Sequence, residues 1–152
     1  MFMELDDDQF KRLLAFRSGI RQFLRWSEER AADVGLTAAQ HQLLLAVRGD
    51  PDPRGPTIGD IAYHLLVRHH SAVGLVDRAE TLGLVRRRLD PEDQRVVRIE
   101  LTAAGERRLR ALTEQHMAEL ERIRIAPRIQ ALWADIELVG TERRSATSGR
   151  PT

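Results

Sequence analysis

Cationic side chains that could bind phosphate or base edges are concentrated in the middle of the chain. Arg68, His69, His70 and Ser71 directly precede an amphipathic stretch, and five arginines against three carboxylates lie between residues 86 and 98. Because the guanidinium group is a planar fork of donors, it pairs with phosphate and with guanine in two-point contacts. These residue types favour recognition of a polyanion such as nucleic acid over acid–base or nucleophilic chemistry.

The first group lies at the start of a predicted helix from about His69 to Leu82. Its apolar residues recur at three- and four-residue spacing, which indicates one buried face. A shorter helix comes before it, capped by Thr57 with Asp60 at its third position, and a turn at residues 66–68 separates the two. This is a helix-turn-helix pattern, whose second helix enters the major groove of DNA. The side chains expected to face the groove are Arg68, His69, His70, Ser71, Val73 and Gly74.

The second group lies on a predicted β-hairpin. Residues 84–89 and 96–101 have strand character, and the segment 90–94 between them has the composition of a turn. The hairpin directly follows the second short helix, as a wing does. We expect Arg98 on the polar face of the second strand, and we expect Asp90 on an exposed turn.

Arg95, directly after the turn, is the residue from which we expect the strongest DNA contact. A hairpin tip can reach the neighbouring minor groove, whose negative potential attracts arginine. Asp93 is placed to orient the guanidinium group of Arg95. The alternative is a plain hairpin turn that carries an exposed ion pair.

Helical segments flank this central region. One long helix is predicted from Asp7 to Asp33, and the next begins at Thr37, which forms a capping box with Gln40. After the hairpin a helix is predicted from about residue 103 to residue 123. Pro127 should break or kink it, and a last helical piece is predicted over residues 128–139.

The predicted fold class is therefore mainly α with a small β-hairpin wing, a winged helix-turn-helix domain with terminal helices that form a dimerisation region. We divide the chain into an N-terminal dimerisation helix, a DNA-binding domain, C-terminal dimerisation helices and a disordered polar tail. These four parts are residues 1–34, 36–102, 103–139 and 140–152.

Several short motifs, in this order and at these spacings, resemble those of the MarR family of winged helix-turn-helix regulators. They are Leu36-Thr37-x-x-Gln40, Leu75-Val76-Asp77-Arg78 with Gly83-Leu84-Val85-x-Arg87, Asp90-x-x-Asp93-x-Arg95, and Leu101-Thr102-x-x-Gly105. The resemblance covers residues 36–109 well and the first helix by pattern only. Two positions depart from the family pattern, because Gln94 replaces a frequent arginine and Val73-Gly74 replaces polar or basic residues.

The resemblance implies a homodimer built from the terminal helices, bound across a pseudo-palindromic DNA duplex. It also implies that a small anionic or aromatic ligand often releases the DNA. On the same grounds Arg78, Arg87 and Asp93 are added to the candidate DNA-binding residues. A repressor is the expected sign of regulation.

A ligand pocket in such an architecture would lie between the winged domain and the dimerisation helices. Apolar walls with a few polar groups suit aromatic acids. The candidate lining residues are Phe23, Trp26, His41 and Tyr63, with Arg25 beside them. Ordinary packing between helices is the alternative for all of them.

Other classes of function lack their motifs. The chain contains no cysteine, so disulfides and thiolate zinc sites are excluded, and the spacing of His64, His69 and His70 does not form an obvious metal site. No glycine-rich phosphate loop, nucleophile elbow or paired-carboxylate motif indicates an enzyme, and we expect no cofactor. Without a long apolar run or a signal peptide, a cytoplasmic protein that does not contact membranes is expected.

The sequence thus predicts a sequence-specific regulator that binds double-stranded DNA. The alternative is a winged-helix module that binds another protein and not DNA. The formal net charge of +1 leaves the alternative open, whereas the basic wing favours DNA.

Overall fold

The computed structural model describes residues 5–124, which form five helices and one two-stranded antiparallel sheet. The helices are α1 (Asp7–Asp33), α2 (Ala38–Gly49), α3 (Ile58–Leu65), α4 (His69–Thr81) and α5 (Ala103–Arg124), and the strands are β1 (Val85–Leu89) and β2 (Val97–Leu101). The predicted order of elements is confirmed, with α4 and both strands one residue shorter than expected. Pro127, the last predicted helical piece and the predicted tail lie outside the described residues.

The described residues fall into two compact units. Residues 23–114 form one unit and contain α2, α3, α4 and the hairpin. Residues 5–22 and 115–124 belong to the other. The candidate DNA-binding residues all lie in the first unit, which is therefore the one that decides their geometry.

Two threonine capping boxes start α2 and α3, as predicted. Thr37 Oγ1 accepts a hydrogen bond from the Gln40 N–H at 3.1 Å, and the Gln40 side chain accepts one from the Thr37 N–H at 2.9 Å. Thr57 and Asp60 exchange the same pair of bonds at the start of α3. Because a capping box satisfies two backbone donors that a helix otherwise leaves free, both helices begin at residues that the sequence specifies.

The core of the unit is formed by α2, α3 and α4 together with the base of the hairpin and α5. Its largest fully buried side chains share aliphatic character and come from all of these elements, as follows: Leu43, Leu44, Ile61, Val76, Leu84, Val85, Ile99 and Leu112. In the hairpin Val85 pairs with Leu101 and Leu89 with Val97. Helix α4 and the hairpin therefore share one core, which holds them in a common frame.

The turn between α3 and α4 contains a leucine in the left-handed conformation. Leu66 has φ 54° and ψ 41°, and its side chain is 90% exposed. A left-handed backbone costs a residue with a Cβ about 1–2 kcal/mol. The turn is nevertheless closed by bonds from the Leu66 N–H to Tyr63 O at 3.3 Å and from the Val67 N–H to Ala62 O at 3.1 Å.

The expectation that Arg98 and Asp90 would be exposed was wrong. Arg98 is 6% exposed and Asp90 is 1% exposed, and Arg98 Nε donates to Asp90 Oδ2 at 2.9 Å. The loop between α2 and α3 covers them, since the Ile99 N–H also donates to Pro56 O at 2.9 Å along the free edge of β2. The polar face predicted from alternation is thus buried at Arg98, whereas Glu100 on the same face is half-buried.

Gly105 allows the start of α5 to touch the backbone of the hairpin. A Cβ atom on Gly105 would lie 2.1 Å from the carbonyl oxygen of Leu84. Thr102 joins the same contact, because its N–H donates to Leu84 O and its hydroxyl both donates to Gly83 O and accepts from the Gly105 N–H. The Leu-Thr-x-x-Gly motif therefore closes the base of the wing.

We predict that Gly105→Ala lowers the free energy of unfolding by about 1–3 kcal/mol, because a methyl group cannot fit against a backbone carbonyl without displacing α5. Urea denaturation measures this change. Gly59→Ala in α3 is the matched control, since its Cβ would meet only Thr57 Oγ1 at 3.7 Å. Equal stability of the two variants would contradict the close approach.

Candidate nucleic-acid interface

The N-terminus of α4 carries an arginine, two histidines and no side-chain cap. Arg68 occupies the N-cap position with φ −72° and ψ 154°, and its side chain makes no capping hydrogen bond. Arg68, His69, His70 and Ser71 are all exposed. Within residues 5–124 Arg68 has no ion-pair partner. Since the first N–H groups of a helix point along its axis, this end of α4 presents free donors and positive charge to solvent.

Arg78 lies over Gly74 on the same helix. A Cβ atom on Gly74 would be 3.3 Å from Nη1 of Arg78. Residues four apart lie on one face of a helix, so the guanidinium group reaches back toward the N-terminal half of α4. Val73 and Gly74 are half-buried, and Arg78 is exposed with no carboxylate partner among the described residues. The guanidinium group of Arg78 thus occupies the surface above Gly74, where Gly74 has no side chain of its own.

Arg87 is the guanidinium group that joins β1 to α4. Its Nη2 lies 2.6 Å from Asp77 Oδ1, its Nη1 lies 2.8 Å from Glu80 Oε1, and its own N–H donates to Glu80 at 3.1 Å. The hydrogen bond with Asp77, and then the one with Glu80, raises the pKa of Arg87 above its usual value. Asp77 and Glu80 are the two acidic residues of α4, so Arg87 pairs with both carboxylates of this helix and offsets one of their two negative charges.

Arg95 stands at the wing tip and is held by Asp93, as expected. Arg95 Nε is 3.0 Å from Asp93 Oδ1, Nη2 is 3.1 Å from Oδ2, and the Arg95 side chain is 90% exposed. The hydrogen bond between the two side chains lowers the pKa of Asp93 and raises the pKa of Arg95. The guanidinium group therefore keeps a defined direction while its remaining donors stay open to solvent.

Arg86 and Arg88 share one carboxylate on the hairpin. Both contact Glu100, and Arg88 also donates to Arg54 O at 2.8 Å. The hydrogen bond from Arg86 is the main reason that the pKa of Glu100 is lowered, with a further contribution from Arg88. Two cations against one anion leave this side of the wing net positive.

The four residues predicted to line a ligand pocket differ in their burial and in their contacts. The rings of Phe23 and Trp26 stack with centroids 5.9 Å apart, and His41 is buried. Tyr63 is 78% exposed and meets the ring of His64 edge-on at 5.9 Å. A pocket through these residues is not shown by these contacts and stays a prediction.

A groove that was not predicted lies between α2 and α3. Its volume is about 400 Å³, and its lining residues are Gln42, Leu45, Ala46, Gly49, His64 and Leu65. His64 Nε2 lies 2.8 Å from Asp50 Oδ2. No pattern in the sequence pairs these two residues, because they come from separate elements.

Residues 34–96 match the family model described as MarR family. This segment of the chain is therefore similar to the MarR family. This MarR segment contains α2, α3, α4, β1 and the wing tip, so it includes every candidate DNA-binding residue. No curated protein sequence matches the chain significantly.

Solved structures of MarR family proteins share the fold. A MarR family transcription regulator aligns with a TM-score of 0.72 at 22% identity, covering 94% of this chain and 95% of the other. AbsC, a MarR family transcriptional regulator from Streptomyces coelicolor, aligns with a TM-score of 0.69 at 20% identity, covering 95% of this chain and 99% of AbsC. A mutant of MepR from Staphylococcus aureus, bound to an oligodeoxyribonucleotide, aligns with a TM-score of 0.58 at 18% identity, covering 95% of this chain and 100% of the other. These alignments confirm the winged-helix fold.

None of the helices within residues 5–124 is both long and apolar enough to cross a membrane.

We predict that Gly74→Ala stabilises the protein but weakens its binding to DNA. Alanine favours a helix over glycine by up to about 1 kcal/mol, whereas its methyl group displaces Arg78 and should cost about 1 kcal/mol of DNA affinity. Urea denaturation and titration of a labelled operator duplex, meaning the sequence that the wild-type protein selects from random duplexes, measure the two effects. Gly49→Ala at the end of α2 is the control, because no atom lies within 4 Å of its Cβ position. Unchanged affinity of Gly74→Ala would show that Arg78 does not need this space.

Proposed function

We propose that the protein is a transcriptional regulator that binds double-stranded DNA as a homodimer, and that it is not an enzyme. The observation that carries the proposal is the exposure of Arg95, at the wing tip, in the same compact unit as the cationic N-terminus of α4. A winged helix binds DNA by placing its recognition helix in the major groove and its wing beside it. In this chain Arg68 at the start of α4 and Arg95 at the wing tip both present exposed guanidinium groups.

The distribution of ion pairs supports the proposal. Arg87 is paired with both carboxylates of α4, and Arg86 and Arg88 together outweigh Glu100. A surface that faces phosphate is stabilised when its own carboxylates are already paired, because unpaired anions would repel the duplex. The net charge of the chain is only +1, and the basic excess is local, since five arginines against three carboxylates lie between residues 86 and 98.

The test of this function is selection of duplexes from a random pool, followed by fluorescence anisotropy of the selected operator duplex beside a scrambled one. A regulator binds the operator more tightly than the scrambled duplex, and the logarithm of its affinity falls linearly with the logarithm of salt concentration. Equal affinity for both duplexes at every salt concentration would overturn the proposal.

We predict that Arg95→Ala weakens operator binding by about 1–3 kcal/mol and lowers the salt slope by about one, because one phosphate or groove contact is lost. Anisotropy titrations at several salt concentrations measure both quantities. The control is Arg122→Ala, which also removes an exposed arginine paired with a nearby carboxylate, Glu119, but lies on α5. The wing assignment fails if the two variants bind equally.

The homodimer is proposed from the exposed apolar surface of the terminal helices. Of the 27 residues of α1, Ala31 is buried, whereas seven large apolar side chains on or just before α1 are 39–64% exposed. These residues are Leu5, Phe10, Leu13, Leu14, Phe16, Ile20 and Leu24. Met117 and Leu120 on α5 are likewise exposed. An apolar stripe of this length marks a protein interface, and a second copy of the chain is the partner that the fold offers.

We predict that the wild-type protein is a dimer at micromolar concentration and that Leu14→Glu shifts it toward the monomer, because a carboxylate would be buried without a partner. Light scattering coupled to size exclusion gives the mass. Leu82→Glu is the control, since Leu82 is similarly exposed at 60% but lies at the end of α4. A monomeric wild-type protein would contradict the dimer.

Such a dimer would act as a repressor by occupying its operator, and a small aromatic or anionic ligand near Phe23, Trp26 and His41 would release it. The stacked pair of aromatic rings and the buried imidazole are the contacts that support this site. Thermal unfolding with and without salicylate, a simple aromatic acid, tests the ligand class, because a ligand that binds only the folded protein raises the midpoint.

A protein-binding winged helix is the second candidate. The exposed apolar side chains of Tyr63 and Leu66, at 78% and 90%, favour it. They lie at the turn of the helix-turn-helix, where a DNA-binding surface gains little from apolar groups. Failure of the selection experiment, together with an intact dimer, would favour this candidate.

A further inference from the structure

A buried carboxylate organises the turn of the wing. Asp90 Oδ1 accepts hydrogen bonds from the N–H groups of Glu92 at 2.9 Å and Asp93 at 3.3 Å. Asp90 Oδ2 accepts from Arg98 Nε at 2.9 Å, and the side chains of Asp90 and Arg98 are only 2% and 8% exposed. The backbone bond from Glu92 and the bond from Arg98 lower the pKa of Asp90. One carboxylate thus fixes both the shape of the turn and its attachment.

Arg98 attaches this carboxylate to the loop between α2 and α3. Its Nη1 donates to Gly55 O at 3.0 Å and lies 3.4 Å from Asp52 Oδ2. Asp52 is held in turn by Arg54, whose hydrogen bonds lower the pKa of Asp52 to about 2. Gly55 has φ +88°, and a Cβ atom there would be 2.9 Å from Ile99 O, so the loop lies directly on β2. The guanidinium group of Arg98 therefore connects the wing turn to the helical part of the unit.

The same turn holds Arg95. The Asp93 N–H is bonded to Asp90, and the Asp93 carboxylate receives both the N–H and the guanidinium group of Arg95. An unbroken series of hydrogen bonds thus runs from Gly55 O through Arg98, Asp90 and Asp93 to Arg95.

Burial of this ion pair is not explained by stability alone. Removing two charges from water costs much of what their attraction returns, and an apolar pair of the same volume often stabilises a fold as well. What an apolar pair lacks is direction, because only hydrogen bonds fix the angle between the turn and the loop. The buried pair therefore sets an orientation.

We propose that Arg98 is a positioning residue for DNA binding, which aims Arg95 by holding Asp90 and the wing turn against the loop between α2 and α3. This inference rests on the proposed function. Arg98 itself is buried and does not touch DNA. Its effect on affinity passes through Arg95.

A double-mutant cycle on operator binding tests this route. Arg98→Met should weaken binding about tenfold in the wild-type background and less than about twofold in the Arg95→Ala background, because the group that it aims is already absent. The salt slope should fall by about one in Arg98→Met, in Arg95→Ala and in the double variant alike. Full additivity of the two losses would overturn the proposal.

Arg98→Met leaves the buried Asp90 with only Arg54, whose Nη1 lies 3.9 Å from Asp90 Oδ2, as its ion-pair partner, and could unfold the domain. A second variant, Asp90→Asn with Arg98→Met, avoids this because the asparagine oxygen still accepts from the Glu92 and Asp93 N–H groups and no charge is buried. It should fold with a near-ultraviolet circular dichroism spectrum like that of the wild type and should show the same loss of affinity. Wild-type affinity in this folded variant would overturn the proposal.

A readout without DNA separates this inference from the proposed function. Nuclear magnetic resonance relaxation of the Arg95 Nε–Hε group should report a restrained side chain in the wild type and a mobile one in the Asp90→Asn, Arg98→Met variant. If the wild-type protein binds no selected duplex, the proposed function fails, and the relaxation result alone decides the positioning. An equally restrained Arg95 in both proteins would overturn it.

Discussion

The geometry of the wing depends on one close backbone contact, between the start of α5 and the carbonyl of Leu84. Gly105 leaves no side chain in this contact, and Thr102 bonds to the backbone on both sides of it. As a result the strand that leaves α4 and the strand that enters α5 are tied together at their base. The core residues Leu84 and Ile99 can then be buried in one core with α2, α3 and α4.

Five arginines of α4 and the hairpin divide into two sets with different roles. All but one of the chain's 24 basic residues are arginine. Arg87, Arg88 and Arg98 use several donors at once to join elements that are distant in the sequence, a task for which the single ammonium group of lysine is poorly suited. Arg78 and Arg95 keep their guanidinium groups at the surface. A count of charge along the sequence cannot separate the sets, because the separation depends on which carboxylate or carbonyl lies within reach.

Local rules predicted the elements well, because the signals were themselves local. The capping boxes at Thr37 and Thr57 depend on residues three apart, and the periodicity of α4 and the bonding of Asp93 to Arg95 involve only near neighbours. The burial of Arg98 was mispredicted because alternation along β2 describes only the faces of the hairpin, whereas the loop that covers Arg98 comes from more than 40 residues earlier. The pairing of His64 with Asp50 and the binding of Arg87 to α4 escaped prediction for the same reason.

The missing side-chain cap of α4 has a consequence for the proposed contact with DNA. Helices α2 and α3 begin with closed capping boxes, whereas no side chain caps the first turn of α4. A DNA phosphate at this end would supply the acceptor that no side chain provides. Part of the binding free energy would therefore appear as protection of the N–H groups in the first turn of α4, with slower amide hydrogen exchange there in the complex.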